Sequence, residues 1–145
     1  DLRTAPSAGA LYGLETYLVA SNVDGLEPGL YRYQPKGHEL IPVGKGDLRS
    51  GLNAATLGQA SVKEAPAAIV FAAVYERITQ KYKERGRRFA VLEAGHASQN
   101  VYLQAEALGL GTVAVGSFSE ADAKKTLGLP SQEEPLYIMP VGKKE

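Results

Sequence analysis

The 145-residue chain is 44% hydrophobic and 22% charged, a globular balance that suits one domain over residues 1–145 with a moderate core. Sixteen Lys and Arg offset sixteen Asp and Glu, so no global field draws the protein to nucleic acid or to a membrane surface, and neither is an expected partner. With no cysteine there is no disulfide, thiolate nucleophile, thiolate-bound zinc or iron–sulfur cluster, and His38 and His96 lack metal-ligand spacing, so no metal is expected.

The chain opens on Arg3 and a small-residue cluster, Pro6-Ser7-Ala8-Gly9, that leads into a strand through Thr16, Tyr17, Leu18 and Val19. The segment 22–29, rich in Gly, Pro and Asp, is a turn. "LYRYQP" and "HELIPV" around a Lys-Gly turn predict an antiparallel meander with one wet face. "GDLRSGLNAATLGQ" predicts a helix N-capped by Asp47, with Leu48, Leu52 and Ala55 at helical spacing and a stop at Gly58.

The apolar run 65–75, with Ile69, Val70 and Phe71, predicts a central strand buried on both faces. A long helical stretch over 76–108 follows, broken near Gly86, with Leu92, Ala97, Val101 and Leu108 on an apolar stripe and a stop at Gly109-Leu110-Gly111. His96 falls in that apolar part, and the bland expectation is a packed core histidine. "TVAVGSF" predicts a buried strand, Ser119 the cap of a further helix, and "LYIMPVG" the last strand. The order implies an α+β layered domain with a mixed sheet. No apolar run is long enough to span a bilayer and no signal peptide is visible, so the cytoplasm is the expected compartment.

Four places can carry chemistry. The small-residue elbow leaves backbone accessible to a planar heterocycle or a phosphate, with a plain turn as the competing account. "KYKERGRR" (81–88) is either a solvated helix face or an anion patch. Within it the adjacent ammonium and phenol of Lys81 and Tyr82 can move protons only if burial or neighbours bring their pKa values toward working pH. "VGSF" (115–118) places Gly116 and Ser117 after a strand, where amides can face a crevice, or it is simply a turn. Lys143 and Lys144 form a frayed end or reach a phosphate.

"RTAPSAGALY", "KYKERGRRFAVLEAGHASQNVYLQAEALGLG", "VAVGSF" and "EEPLYIMPVG" resemble, in that order and over essentially the whole chain, the SagB-type dehydrogenase branch of the nitroreductase family. The resemblance implies a mixed, mainly antiparallel sheet flanked by helices, and FMN bound between two copies of the chain. The implied flavin-binding residues are Arg3, Pro6, Ser7, Ala8, Gly9 and Leu11 around the elbow, then Val115, Gly116 and Ser117 with an amide near N5, and Lys143 near the phosphate. Lys81 and Tyr82 match a pair assigned to proton removal in members that oxidise azolines in peptides. The implied activity is hydride transfer to or from FMN with a small-molecule or peptide azoline substrate. A flavin-fold binding or scaffold domain with weak FMN affinity is the alternative.

Three departures stand out. Members usually open with a helix carrying Arg-Arg-Ser-x-Arg against the phosphate, so the expected fold lacks that helix. Gly13 stands where a proline commonly follows the Leu-Tyr of the elbow. Gly116-Ser117 stands where Gly-Gly is common.

Overall fold

Why the chain alternates short strands with helices is visible in the computed structural model, which describes residues 2–144. β1 (Leu14–Ala20), β2 (Gly29–Gln34) and β3 (Glu39–Lys45) form the meander. Helices α1 (Arg49–Ala55) and α2 (Ala60–Glu64) lead into β4 (Ala67–Ala73). Next come α3 (Tyr75–Tyr82), α4 (Arg85–Ala107), β5 (Leu110–Thr112), α5 (Glu120–Leu127) and β6 (Glu134–Lys143). The six strands form one sheet in the order β3-β2-β1-β4-β6-β5.

Every strand pair among the described residues is antiparallel. The α+β expectation of a sheet flanked by helices therefore stands, while the parallel component of a mixed sheet does not occur. β4 lies between β1 and β6, where Val70, Ala72 and Ala73 are fully buried. Ala68, Val70 and Ala72 on one face are buried throughout, whereas Ala67 and Ile69 on the other are half-exposed, so burial on both faces holds only for the second half of the strand.

Alternation along the strands sends side chains to two cores. Tyr17, Val19, Leu30, Ala68, Val70, Ala72 and Ile138 pack with Leu52, Ala55, Val62, Ala123 and Leu127 of α1, α2 and α5. At the α3–α4 end, Ala73, Ile78 and Ala90 are joined by Leu11, Leu14, Tyr75, Tyr82, Phe89 and Leu136.

Several local expectations are corrected. The helical stretch breaks at Lys83 (φ 53°, ψ −142°), while Gly86 sits inside the first turn of α4. Gly86 is there for proximity: a Cβ built on it would lie 2.8 Å from Thr79 N and 2.9 Å from Ile78 C, both backbone atoms of α3. The supposed apolar stripe is also misplaced. Leu92 and Leu108 are 49% and 63% exposed, and α4 instead buries Gly86, Ala90, Glu93, Ala94, Ser98 and Ala105. Small side chains allow α4 close to the sheet, and the large apolar ones face outward. His96 is exposed rather than packed.

β5 is only three residues long, and the run continues as a single bridge from Val115 to Ile138. α1 begins at Arg49 with Leu48 at the cap position, yet Asp47 Oδ1 still accepts the Arg49 N–H at 2.9 Å. Ser119 caps α5 as expected, accepting the Asp122 N–H at 3.3 Å, and Gly128 closes it in the left-handed region. Among the described residues no helix is long and apolar enough to cross a membrane.

Candidate functional site

The elbow is a tight, left-handed structure. Ala8–Ala10 form one 3-10 turn, and Gly9, Ala10 and Tyr12 have φ of 61°, 54° and 49°. Glycine adopts this region freely, whereas Ala and Tyr do so at a cost of about 1 kcal/mol or more each. Gly9 is required for a second reason. A Cβ there would lie 2.9 Å from Tyr82 Oη and 3.1 Å from Lys81 Nζ. The last turn of α3 thus seats both expected proton-transfer groups directly on the elbow, although the two motifs are far apart in sequence. Tyr82 is half-buried and held edge-on by Phe89, ring centroids 5.1 Å apart. Lys81 is exposed.

Beneath the elbow lies a residue that sequence reasoning missed. Glu93 of α4 is 5% exposed, and its Oε2 accepts the Ser7 O–H at 2.6 Å. Ser7 Oγ in turn accepts the Tyr12 N–H at 2.8 Å. Burial pushes the Glu93 carboxyl above the ordinary glutamate range, opposed by donation from Ser7 and from the Gly13 N–H and by the positive charges of Arg3 and Arg77. One signal for it was available: an acid on the face shared with Gly86, Ala90 and Ala94. Arg77, also missed, donates to the Tyr12 carbonyl at 3.2 Å and pairs with Glu15.

A cleft of about 990 Å³ opens beside these groups. Its walls come from Leu14, Thr16 and Phe71 of the sheet, Glu93, Ala97 and Asn100 of α4, Arg3, Leu11 and Tyr12 of the elbow, and Tyr33 of β2 with Pro35, Lys36 and Gly37 of the turn after it. Arg3 lies over the Tyr12 ring, 3.8 Å from its centroid. Pro6 is exposed, Ala8 half-buried, and Leu11 packs in the same cluster as Tyr82.

The remaining expected residues lie elsewhere. Val115 is buried and exchanges two hydrogen bonds with Ile138, at 2.9 and 3.0 Å. Gly116 and Ser117 follow it into solvent, and among the described residues their amide N–H groups have no acceptor. A Cβ on Gly116 would lie 3.2 Å from the Tyr137 ring. Lys143 lines a second cleft of about 940 Å³ together with Thr112, Pro66 and Gly142. There the Thr112 hydroxyl is buried without a partner among the described residues.

The elbow and Lys143 do not meet within one chain, and Gly116 and Ser117 line neither of the two clefts. Leu14, beyond the elbow, pairs with Ala73 at one end of β4, whereas Val141, next to the Lys143 side, pairs with Ala67 at the other. Six strand steps separate them, about 20 Å. Arg3 and Lys143 accordingly line different clefts.

This donor set suits a flavin nucleotide: free amides at Gly116 and Ser117 for ring acceptors, an unpaired hydroxyl and an ammonium at Thr112 and Lys143 for an anion, and an elbow exposed at Pro6, Gly9 and Ala10 for a flat ring.

Comparison with known proteins identifies the family. The profile of the Nitroreductase family matches residues 1–143. A Methanocaldococcus jannaschii protein named as a nitroreductase is 43% identical over 142 residues, covering 98% of this chain and 71% of its own length. The microcin B17-processing protein McbC of Escherichia coli is 30% identical over 142 residues, covering 94% of this chain and 52% of McbC. Among solved structures, one named as a nitroreductase from Anabaena variabilis superposes with a TM-score of 0.93 at 31% identity, over 98% of this chain and 29% of its own. The E. coli microcin synthetase McbBCD complex with truncated pro-MccB17 bound gives 0.87 at 27% identity, over 99% of this chain and 56% of the matched one. The chain therefore spans about half or less of three of these relatives. The expected nitroreductase-like architecture stands, and the likeness to McbC lies with the SagB-type branch.

Proposed function

Because the chain belongs to the nitroreductase family of oxidoreductases, we propose that it is a cytoplasmic FMN-dependent oxidoreductase acting as a homodimer on a small-molecule or peptide azoline. The observation that carries this reading is the seating of Lys81 and Tyr82 on Gly9. That contact joins the two motifs whose cooperation the reaction needs.

When bound, FMN supplies a hydride acceptor and donor at N5. In this reading the elbow of one subunit, Arg3, Pro6, Ser7, Ala8, Gly9 and Leu11, lies against the ring. Gly116 and Ser117 of the other, held in place by the paired Val115, present free amides to its polar edge, and Lys143 with Thr112 holds the phosphate. Lys81 or Tyr82 takes the proton from the substrate carbon, close to the ring because both rest on the elbow. Separation of the halves along β4 supports a site shared between two copies. The exposed apolar side chains Val91, Leu92 and Leu103 of α4 supply a face for association. The name of McbC and the McbBCD complex with truncated pro-MccB17 bound support a peptide substrate.

A second reading, a flavin-fold scaffold with weak FMN affinity, is favoured by the failure of Arg3 to join Lys143, which leaves that cleft with Lys143 and an Arg49 already paired with Asp47. An absorption spectrum with and without added FMN, followed by titration of the intrinsic tyrosine fluorescence, separates these readings. The enzyme reading expects saturable FMN binding and turnover. A colourless chain indifferent to FMN refutes it, and binding without turnover on any acceptor supports the scaffold. In the enzyme, Lys81→Ala and Tyr82→Phe retain FMN but slow substrate oxidation, while Gly116→Val weakens FMN binding by pushing against Tyr137.

A further inference from the structure

The elbow presents an unexplained expense. Ala10 and Tyr12 both sit at positive φ, a conformation that persists only where surrounding structure over-determines it. The tie that does so is Glu93, which lies outside the proton-transfer pair and the expected flavin contacts. It reaches across to both sides of the strained residues, to Ser7 before them and to Gly13 after them. Ser7 passes the restraint on by accepting the Tyr12 N–H.

The hydroxyl is thereby committed. Its only proton is donated to Glu93 and one lone pair is taken by Tyr12, so Ser7 has no hydrogen left for a ligand. A buried carboxyl among Ala90 and Ala94 also carries a desolvation cost that an apolar residue at this position would avoid. Packing alone does not call for an acid there.

We propose that Glu93 is the positioning residue of the elbow: through Ser7 and Gly13 it holds the left-handed turn in the shape that receives the flavin, and so sets FMN affinity. This rests on the flavin reading above. Ser7 is then a strut between Glu93 and the backbone rather than a direct flavin donor.

The test uses the full chain with Glu93→Gln, Glu93→Ala, Ser7→Ala and the Glu93→Gln/Ser7→Ala double variant. Amide hydrogen exchange is measured over residues 8–14, with 67–73 of β4 as internal control, and FMN dissociation constants are measured by flavin fluorescence. The expected result is exchange about ten-fold faster over 8–14 with β4 unchanged, and FMN binding about ten-fold weaker in each single variant. The double variant should bind FMN no more weakly than the worse single one, because both act through one chain of hydrogen bonds.

Unchanged exchange over 8–14 in both Glu93 variants refutes the tie. Faster exchange with an unaltered FMN constant refutes its link to affinity, as do effects that multiply in the double variant. A wild-type chain indifferent to FMN whose exchange nevertheless responds as expected refutes the flavin reading while upholding the tie.

Discussion

Gly86→Ala is the sharpest probe of how this fold holds α3, which carries the proposed proton-transfer pair, against α4. Alanine is favoured over glycine in a helix interior by about 1 kcal/mol, so α4 considered alone predicts stabilisation. The packing predicts the reverse. The added methyl would stand 2.8 Å from Thr79 N, 2.9 Å from Ile78 C and 2.9 Å from Thr79 Cα. Carbon contacts are most favourable near 3.5–4.0 Å, so α3 and α4 must separate by roughly 0.5–1 Å.

The neighbours are backbone and Ile78 is fully buried, so no flexible side chain can absorb the shift. Overpacking of this kind costs about 1–3 kcal/mol, and against the backbone the upper part of that range applies. After the helix-propensity gain, the expected net loss is about 1–2 kcal/mol, or roughly 2–8 °C in Tm for a domain of this size. Gly95 is the internal control on the same helix. A Cβ there meets nothing within 4 Å, so Gly95→Ala should gain about 0.5–1 kcal/mol. Thermal unfolding of both variants at equal concentration decides the matter. A Gly86→Ala protein that melts at or above wild type refutes the close-approach argument.

Other consequences follow from the same structure. Gly9→Ala combines a left-handed φ with contact against Tyr82 and Lys81, and should lose about 1–2 kcal/mol and displace the pair; FMN-supported turnover should fall further than stability, and unaltered turnover would show that the contact is incidental. Tyr17→Phe removes the hydroxyl donated to Glu133 at 2.6 Å in the core, leaving a buried acceptor unpaired at about 1–3 kcal/mol, readable by denaturant titration. Burial holds Glu133 above the ordinary glutamate range, so its favourable contribution is full below the unfolded pKa and is lost as pH rises through the folded one. Part of the stability decline as pH rises above the ordinary glutamate range should therefore vanish in Glu133→Gln, and an unchanged slope would locate that decline elsewhere. Leu92→Lys with Leu103→Lys places charge on the exposed α4 face, and should shift sedimentation from dimer to monomer and weaken FMN binding if the site is shared.

Much of this architecture was legible locally. The apolar run at Ala67–Ala73, the glycine stop at Gly109 and the Ser119 cap all depend on a few adjacent residues with strong conformational preferences. The elbow was visible as a place where backbone is bare. Less could be said of α4, because its pattern of large apolar residues points away from the core and its small residues do the packing. A periodicity argument ranks side chains by hydrophobicity, and here closeness of approach decided burial instead.

By itself the sequence determined the order of strands and helices, the turns between them, and the presence of an acid, an ammonium and a phenol. Only the tertiary structure decided that Glu93 is buried under the elbow, that Lys81 and Tyr82 rest on Gly9, and that Gly86 is needed for contact rather than for a break. Those are contacts between segments distant along the chain, and they exist because α3 and α4 fold back onto the sheet. Local preferences carry no record of such distances, which arise when the two cores close.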